Sequence, residues 1–316
     1  MPDSAEEPQL TVIMTVYNGA QFLRTAMDSV LQQTYTDFRF LIVDDASTDD
    51  TSEIVGSYQD DRVILECLER NVGQTAALNI GLKLATTPWI ARLDADDYSA
   101  PNRFEEQMRA LEADLSVSCI GTHVWMFHDD PEVVDSVFEP PENHEEITQG
   151  LLRGSSMVHG SIVADRVALL DIGGFDERYR FVADLEMYDR LVVKYKTANI
   201  PELLVGIRQH AGQTSGKKLA YDEAIDICLG RFKTDRYTRS DASMIRATLS
   251  RAYLHRSQFR GFSDRIKDLG KAIRISPNTF IWNFCLVYFY GRFSKPRQMA
   301  LRRALAKSVP RFLTGR

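Results

Sequence analysis

Trp89-Ile90-Ala91-Arg92-Leu93-Asp94-Ala95-Asp96-Asp97 is the stretch on which the fold and the site both turn. Ile90, Ala91 and Leu93 suit a strand covered on both faces, the habit of parallel sheets. Side chains alternate along a strand, so Arg92, Asp94 and, if the extended run continues, Asp96 point the same way. Carboxylates that close repel each other unless a cation or hydrogen-bond donors stand between them. Pro101 ends the run and suits the first turn of a helix over 102–111. At the carboxyl end of a strand in an α/β pattern, such a pair is where Mg²⁺ or Mn²⁺ and a phosphorylated ligand sit. An isolated Asp-x-Asp is more often a solvated turn, because Asp is common in turns. The rest of the chain has to decide between the two.

Working outward, residues 10–16, 38–43, 63–67 and 89–93 are short apolar runs that read as strands. Helical patterns separate them. Phe22, Ala26 and Val30 make one apolar face, with Asn18 as the expected cap and Gln21 as its capping-box partner. A second helix is expected from Ser47-Thr48-Asp49 to about Tyr58, and a third over 74–85. Strand–helix alternation of this kind argues for a mostly parallel sheet flanked by helices, an α/β fold. Every strand ends in polar residues: Thr15/Tyr17/Asn18, Asp44/Asp45, Arg70/Asn71, and Asp94/Asp96/Asp97. The carboxyl ends of parallel strands share one edge, where ligands bind. Four such clusters on one edge favour a site over four unrelated turns.

Composition removes other classes. The chain has 316 residues and a formal net charge of −6, which gives no reason to expect nucleic acid as a partner. Its four cysteines lie far apart without metal-ligand spacing, which fits reduced thiols in a cytoplasmic protein. Residues 1–9 are polar and acidic and read as a disordered lead-in. No Gly-x-Gly-x-x-Gly follows the first strand, and no Gly-x-Ser-x-Gly elbow is present.

The ordered set Thr15-Val-Tyr-Asn18, Val43-Asp-Asp-Ala-Ser-Thr-Asp49, Asn71-Val-Gly73, Asn79-Ile-Gly81, Ala91-Arg-Leu-Asp-Ala-Asp-Asp97, His159, Gly173-Gly-Phe-Asp176, Asp184 and Arg208-Gln-His210 resembles the inverting family 2 glycosyltransferases of GT-A fold. The resemblance covers residues 10–215 and implies a nucleotide-sugar half (10–112) and an acceptor half (113–215). It implies a nucleoside-diphosphate sugar donor, most often a UDP-sugar. By it, Thr15 and Tyr17 line the base and ribose pocket, Asp45 accepts from uracil, and Arg70 packs against or bonds the base. Asp94 lies near ribose and phosphates, while Asp96 ligates Mn²⁺ or Mg²⁺, with His210 near the metal and Arg208 near the acceptor or diphosphate. Asp184 is the implied general base, although Ala183 stands where the family's pair has Glu; Asp176 and Glu186 are the alternatives. His159 is placed beside the acceptor, and Asp97 is either a partner of that site or a cap of the helix after Pro101.

Beyond residue 112 the alternation stops. Residues 116–121 and 124–127 read as two strands joined by a tight connection, and 129–146 as an acidic surface excursion. Residues 155–164 read as a strand containing His159, 183–195 as a helix with Asp184 in its first turn, and 203–207 as a late strand. The Gly/Ser/Lys loop through Lys218 suits a lid over the donor. From 216 onward the pattern is helical, over 221–233, 240–257, 263–275 and 279–293. The apolar run 280–290 is too short to span a bilayer. It is a core helix, a dimer contact or an interfacial helix. The eight Lys/Arg of 291–316, with no Asp or Glu, favour contact with the inner face of the plasma membrane, as a lipid-linked acceptor would require. Two rival readings stand beside this one. A sugar nucleotidyltransferase wants a Gly-rich basic loop after the first strand, which is absent, and a non-catalytic sugar- or nucleotide-binding module is suggested only by Ala183.

Overall fold

A computed structural model describes residues 8–154, 156–212, 218–231, 239–257 and 262–276. The chain divides into two compact units, Met1–Thr214 and Ser215–Arg316.

In the first unit, β1 (Leu10–Val16), β2 (Phe38–Asp44), β3 (Val63–Cys67) and β4 (Trp89–Arg92) lie parallel in the order β3-β2-β1-β4. The alternation of their side chains decides what covers each face. Leu10, Val12, Met14 and Val16 of β1 face one way and join Phe38, Phe40 and Ile42 of β2 in one core. That core is closed by α1 (Ala20–Leu31), α2 (Thr51–Gly56) and α4 (Arg103–Ala113) through Leu23, Met27, Ile54 and Phe104. Ile13 and Ile90 face the other way and pack on Leu78 and Leu82 of α3 (Gln74–Leu84). The second core extends to α5 (His144–Leu151), α6 (Arg166–Asp171) and α7 (Ala183–Lys194) through Leu151, Leu169 and Met187. Each fully buried Leu, Ile or Met contributes about 1.5–3 kcal/mol, so two apolar faces stabilise the sheet from both sides. Gly81 lets α3 lie close on β1: a Cβ there would meet the Ile13 Cγ2 methyl at 2.8 Å.

The parallel expectation describes only the first half of the sheet. Beyond β4 the order continues β8-β6-β9-β5, with β5 (Tyr98–Ser99), β6 (Val117–Phe127), β8 (Val163–Asp165) and β9 (Lys196–Arg208). β4–β8, β6–β8 and β5–β9 are antiparallel, β6–β9 is parallel, and β7 (Ser136–Phe138) hangs on β6. The two expected strands 116–121 and 124–127 are one strand, β6, whose pairing with β9 shifts register around Val117/Cys119 and Thr122/His123. Thr122 and His123, the expected tight connection, belong to an irregular strand rather than a turn. The Thr122 amide donates to Ser161 Oγ at 3.2 Å, and its hydroxyl donates to the His123 carbonyl. Residues 155–164 are not a continuous strand either: His159–Ser161 is a 3-10 turn that leads into β8.

Two start signals also read differently. Asn18 does not cap α1; Gly19 occupies that position, and Asn18 has φ 52° with its side-chain oxygen accepting from the Thr48 amide. The cap comes from the loop after β2, where Ser47, Thr51 and Asp49 accept from the amides of Asn18, Gly19 and Ala20. Residues 47–50 stay outside α2, which starts at Thr51 instead of near Ser47.

The second unit contains α8 (Lys218–Arg231), α9 (Arg239–Ser257) and α10 (Phe262–Ile275). Ile245, Leu249, Leu254 and Ala272 are buried within it, and the Ser250 hydroxyl donates to the Ala272 carbonyl at 2.9 Å. No helix among the described residues is long and apolar enough to cross a membrane. The apolar run 280–290, the basic segment 291–316 and most of the loop before Lys218 lie outside the described residues.

Candidate active site

β1 to β4 bring three of the four polar clusters to one edge, and the fourth follows β3 closely. β1 pairs Val16 with Asp44, β2 pairs Asp44 with Cys67, and β1 pairs Ile13 with Arg92. Thr15 is 7% exposed with its hydroxyl unpartnered, and Tyr17, one residue past β1, is 51% exposed. Asp45 is buried and accepts from the amides of Val72 and Gly73 at 2.6 and 2.8 Å. Asn71 adds a bond to the Asp45 carbonyl at 3.2 Å. Asp45 therefore ties the loop that carries Arg70 to the end of β2. Arg70 itself is exposed and lines a cavity of about 550 Å³ with Asn71, Val72 and Lys83.

The acidic cluster is built around a buried cation. β4 stops at Arg92, so Asp94 and Asp96 stand on a turn rather than on an extended strand. Arg92 is 2% exposed and bonds the Asp94 carboxylate and the Leu93 carbonyl through its guanidinium. Gln74, in the first turn of α3, donates to the same Asp94 carboxylate at 3.2 Å. A second arginine, Arg103, is fully buried and donates to the Arg92 carbonyl at 2.8 Å. Burial, then the neighbouring Arg92 charge, brings the Arg103 pKa down to about 9. Sequence reasoning missed Gln74 and Arg103. Their signals were a polar residue directly after Gly73 and a charged residue on the apolar side of the helix after Pro101.

The three carboxylates differ because their surroundings differ. Burial works against the Asp94 charge, yet the Arg92 guanidinium holds that carboxyl below the usual range. Asp96 is pushed up, by burial first and then by Asp94. Asp97 is pushed well above the usual range, by burial, then Asp94, then Asp96. Its Oδ1 accepts from the Arg208 amide at 3.0 Å, and the residue is 3% exposed. Asp97 therefore does not cap α4, whose N-cap is Asn102.

Arg208 also takes a different place from the one expected. It is 4% exposed, and its guanidinium donates to the carbonyls of Asp96, His128 and Asp129, each at 2.9 Å. Phe22 and Phe127 flank it at 4.7 and 4.6 Å. These contacts make Arg208 a brace for the Asp96–Asp97 turn. Two residues on, His210 Nε2 lies 2.9 Å from Asp96 Oδ2, with its ring 4.8 Å from that of Phe22. Among the described residues no three His, Cys, Asp or Glu side chains converge as a metal cage. Asp96 and His210 are a two-ligand set at most. That suits Mg²⁺ or Mn²⁺, which take one or two protein ligands and fill the remaining positions with phosphate oxygens and water.

Across the 3-10 turn, Asp184 stands in the first turn of α7, where the helix dipole favours a negative charge. Burial, then the Asp94 charge, nevertheless raises its pKa to about 6, against the lowering effects of two amide hydrogen bonds and of Arg92. His159 is held neutral, its pKa brought down to about 3 by burial and then by Arg92. The imidazole packs 5.3 Å from the Phe175 ring, with Nε2 buried and unpartnered. Of the two alternatives to Asp184, Asp176 is paired with Arg178 and Glu186 with Arg190.

Arg92 thus offsets the acidic cluster, and Arg92→Met is expected to lower the unfolding free energy by about 3 kcal/mol. This is the lower end of the cost of breaking a buried pair, because the Asp94 side chain keeps 32% of its surface exposed. Urea denaturation checks it; an unchanged midpoint would mean that the cation is dispensable for folding.

Comparison with known proteins is consistent with this arrangement. Residues 11–171 match the family described as Glycosyl transferase family 2. EpsE of Bacillus subtilis, which carries the glycosyltransferase name, is 30% identical over 69% of this chain and 80% of its own. An Escherichia coli protein, the UDP-Glc:alpha-D-GlcNAc-diphosphoundecaprenol beta-1,3-glucosyltransferase WfaP, is 27% identical over 66% of this chain and 80% of its own. Among solved structures, S. aureus TarS 1-349 in complex with UDP-GlcNAc superposes with a TM-score of 0.66 at 18% identity. The match covers 86% of this chain and 82% of that one, and at that identity it speaks for the shared GT-A architecture. With a family match spanning half of its length, the chain belongs to glycosyl transferase family 2 and is a glycosyltransferase.

Proposed function

We propose that the protein transfers a hexosyl group with inversion from a UDP-sugar to a hydroxyl of a glycan or lipid-linked acceptor, in the synthesis of a surface polysaccharide. One observation carries the reading. The same edge carries a carboxylate–imidazole pair, Asp96–His210, and, within the field of Asp94, a carboxyl, Asp184, whose pKa burial and Asp94 raise to about 6. The names of WfaP and of the TarS complex support the UDP-sugar, and that of WfaP supports the lipid-linked acceptor.

In this reading Thr15 and Tyr17 receive the ribose and base, with the Arg70 loop held over them by Asp45. Asp94, oriented by Arg92 and Gln74, meets the ribose and the phosphates. Asp96 and His210 hold Mn²⁺ or Mg²⁺, which when bound stabilises the charge that develops on the departing diphosphate. Asp184 takes the proton of the acceptor hydroxyl as its oxygen attacks the anomeric carbon. The bond from that carbon to the diphosphate oxygen breaks on the opposite side and its electron pair leaves with the nucleoside diphosphate, so the centre inverts. His159, held neutral and packed on Phe175, would stand beside the acceptor pocket. The basic segment 291–316 would bring the enzyme to the inner face of the plasma membrane; failure to sediment with anionic vesicles would remove that part.

The reaction is tested by supplying Mn²⁺, α-linked UDP-sugars and candidate acceptors and reading the product by NMR. A β-linked product is expected, and an α-linked one would exclude inversion.

A further inference from the structure

Asn79 sits one turn into α3, and its amide pairs with both backbone groups of Phe175, far away in the chain. Nδ2 donates to the Phe175 carbonyl at 2.8 Å, and Oδ1 accepts from the Phe175 amide at 2.9 Å. Nδ2 also reaches Glu177 Oε1 at 2.9 Å. Only a side-chain amide offers a donor and an acceptor in this spacing; an aspartate offers two acceptors. The approach is close: a Cβ on Gly174, which has φ +68°, would lie 2.7 Å from Asn79 Oδ1.

The turn held in this way is fixed from its other side by α7. Arg190 donates to the carbonyls of Ile172 and Gly174, the latter at 2.8 Å, while bonding Glu186 of its own helix. Four residues back on α3, the Thr75 hydroxyl donates to the Tyr179 carbonyl at 2.8 Å and fixes the approach to α7. Next to Thr75, Gln74 touches Asp94. Phe175 anchors the turn in the second core, and the hydrogen bonds of Asn79 and Arg190 fix its backbone beside a cavity of about 590 Å³ lined by Gly173, Gly174, Glu177 and Arg190.

α3 therefore reaches Asp94 at its first residue and, through Thr75 and Asn79, the segment that delivers Asp184. We propose that Asn79 is a positioning residue: by clamping the Gly173–Asp176 turn onto α3 it fixes where α7 begins, and so where the Asp184 carboxylate stands relative to the donor carboxylates. The proposal deepens the function proposed above and rests on Asp184 being the base. Displacing a reacting group by about 1 Å costs on the order of a hundredfold in rate. A clamp of this kind should therefore act on turnover and not on nucleotide affinity.

The test uses the full chain with Asn79→Ala, the near-isosteric Asn79→Asp, and Thr75→Val. Calorimetry reads UDP binding with Mn²⁺, and steady-state assays read kcat and KM for donor and acceptor. Both Asn79 variants should lose about 10- to 100-fold in kcat, with UDP affinity within about twofold of the parent. Thr75→Val should show the same split to a smaller degree. Glu177→Ala, which removes only the exposed arm of the clamp, should leave kcat unchanged. Unchanged kcat in the Asn79 variants would overturn the proposal, and so would a proportional loss of UDP binding and kcat. If Asn79→Ala does not fold, Asn79→Asp and Thr75→Val decide by the same criteria. Should Asp184→Asn keep full turnover, the base assignment fails and this proposal with it; should Asp184→Asn be inactive while the Asn79 variants are normal, only this proposal fails.

Discussion

Asp184→Asn is expected to lower transfer by about 10²–10⁴-fold, the range seen when a positioned general base is lost, while leaving UDP binding within about twofold. The substitution keeps the shape of the side chain and removes a group whose proton affinity matches the task. Burial and the Asp94 charge bring Asp184 to about 6, so it is ionised at neutral pH yet still basic enough to take an alcohol proton in the transition state. The pH profile follows with its sign. The base works deprotonated, so kcat/KM should climb tenfold per pH unit on the acid side and level off above about 6. Stability runs the other way. Asp184 binds its proton more tightly when folded than when unfolded, so its stabilising contribution is fully present below the ordinary aspartate range and is lost as pH rises through about 6. Asp184→Asn should therefore be no less stable than the parent above pH 7 in thermal denaturation, because it removes a buried charge that function requires and folding does not. A variant that retains turnover, or whose profile keeps the same acid limb, would dismiss Asp184 as base.

The second large effect is expected at Asp96. In Asp96→Ala the increase in UDP affinity given by Mn²⁺ should disappear, and turnover should fall by about 10²-fold or more, since metal stabilisation of a leaving group is worth several kcal/mol. Asp96 lies 2.9 Å from His210 and is pushed up by burial and by Asp94. Burial and Asp94 oppose the Asp96 charge, and a bound divalent ion reverses that local preference. UDP binding without Mn²⁺ should change little, because the base, ribose and Asp94 contacts do not pass through Asp96. Calorimetry of the variant with and without Mn²⁺ separates these terms. An undiminished Mn²⁺ effect would place the ion elsewhere.

Much of this architecture could be read in the chain because local pattern and tertiary role coincide there. Leu10–Val16 and Phe38–Asp44 are buried along almost their whole length and have helices on both faces. Asp184 was legible as a carboxylate in the first turn of an amphipathic helix. The misreadings share one cause, which is that distant groups satisfy local polar signals. Asn18 looks like a cap until Ser47, Asp49 and Thr51 supply those contacts from another loop. Thr122 and His123 look like a tight connection until Ser161, in the 3-10 turn before β8, takes up the Thr122 amide. Arg208 follows a strand at the expected position, but the carbonyls of Asp96, His128 and Asp129 receive its guanidinium. Sequence spacing locates a residue on an edge; it does not say which way a long side chain turns once that edge is assembled.

The most direct test of the central claim, that this edge binds a nucleoside diphosphate through a metal, is titration calorimetry of the intact protein with UDP, GDP and dTDP, each with and without Mn²⁺. Tight binding of UDP alone, strengthened by Mn²⁺, is the expected result. Binding of none of the three, or UDP binding indifferent to Mn²⁺, would contradict it.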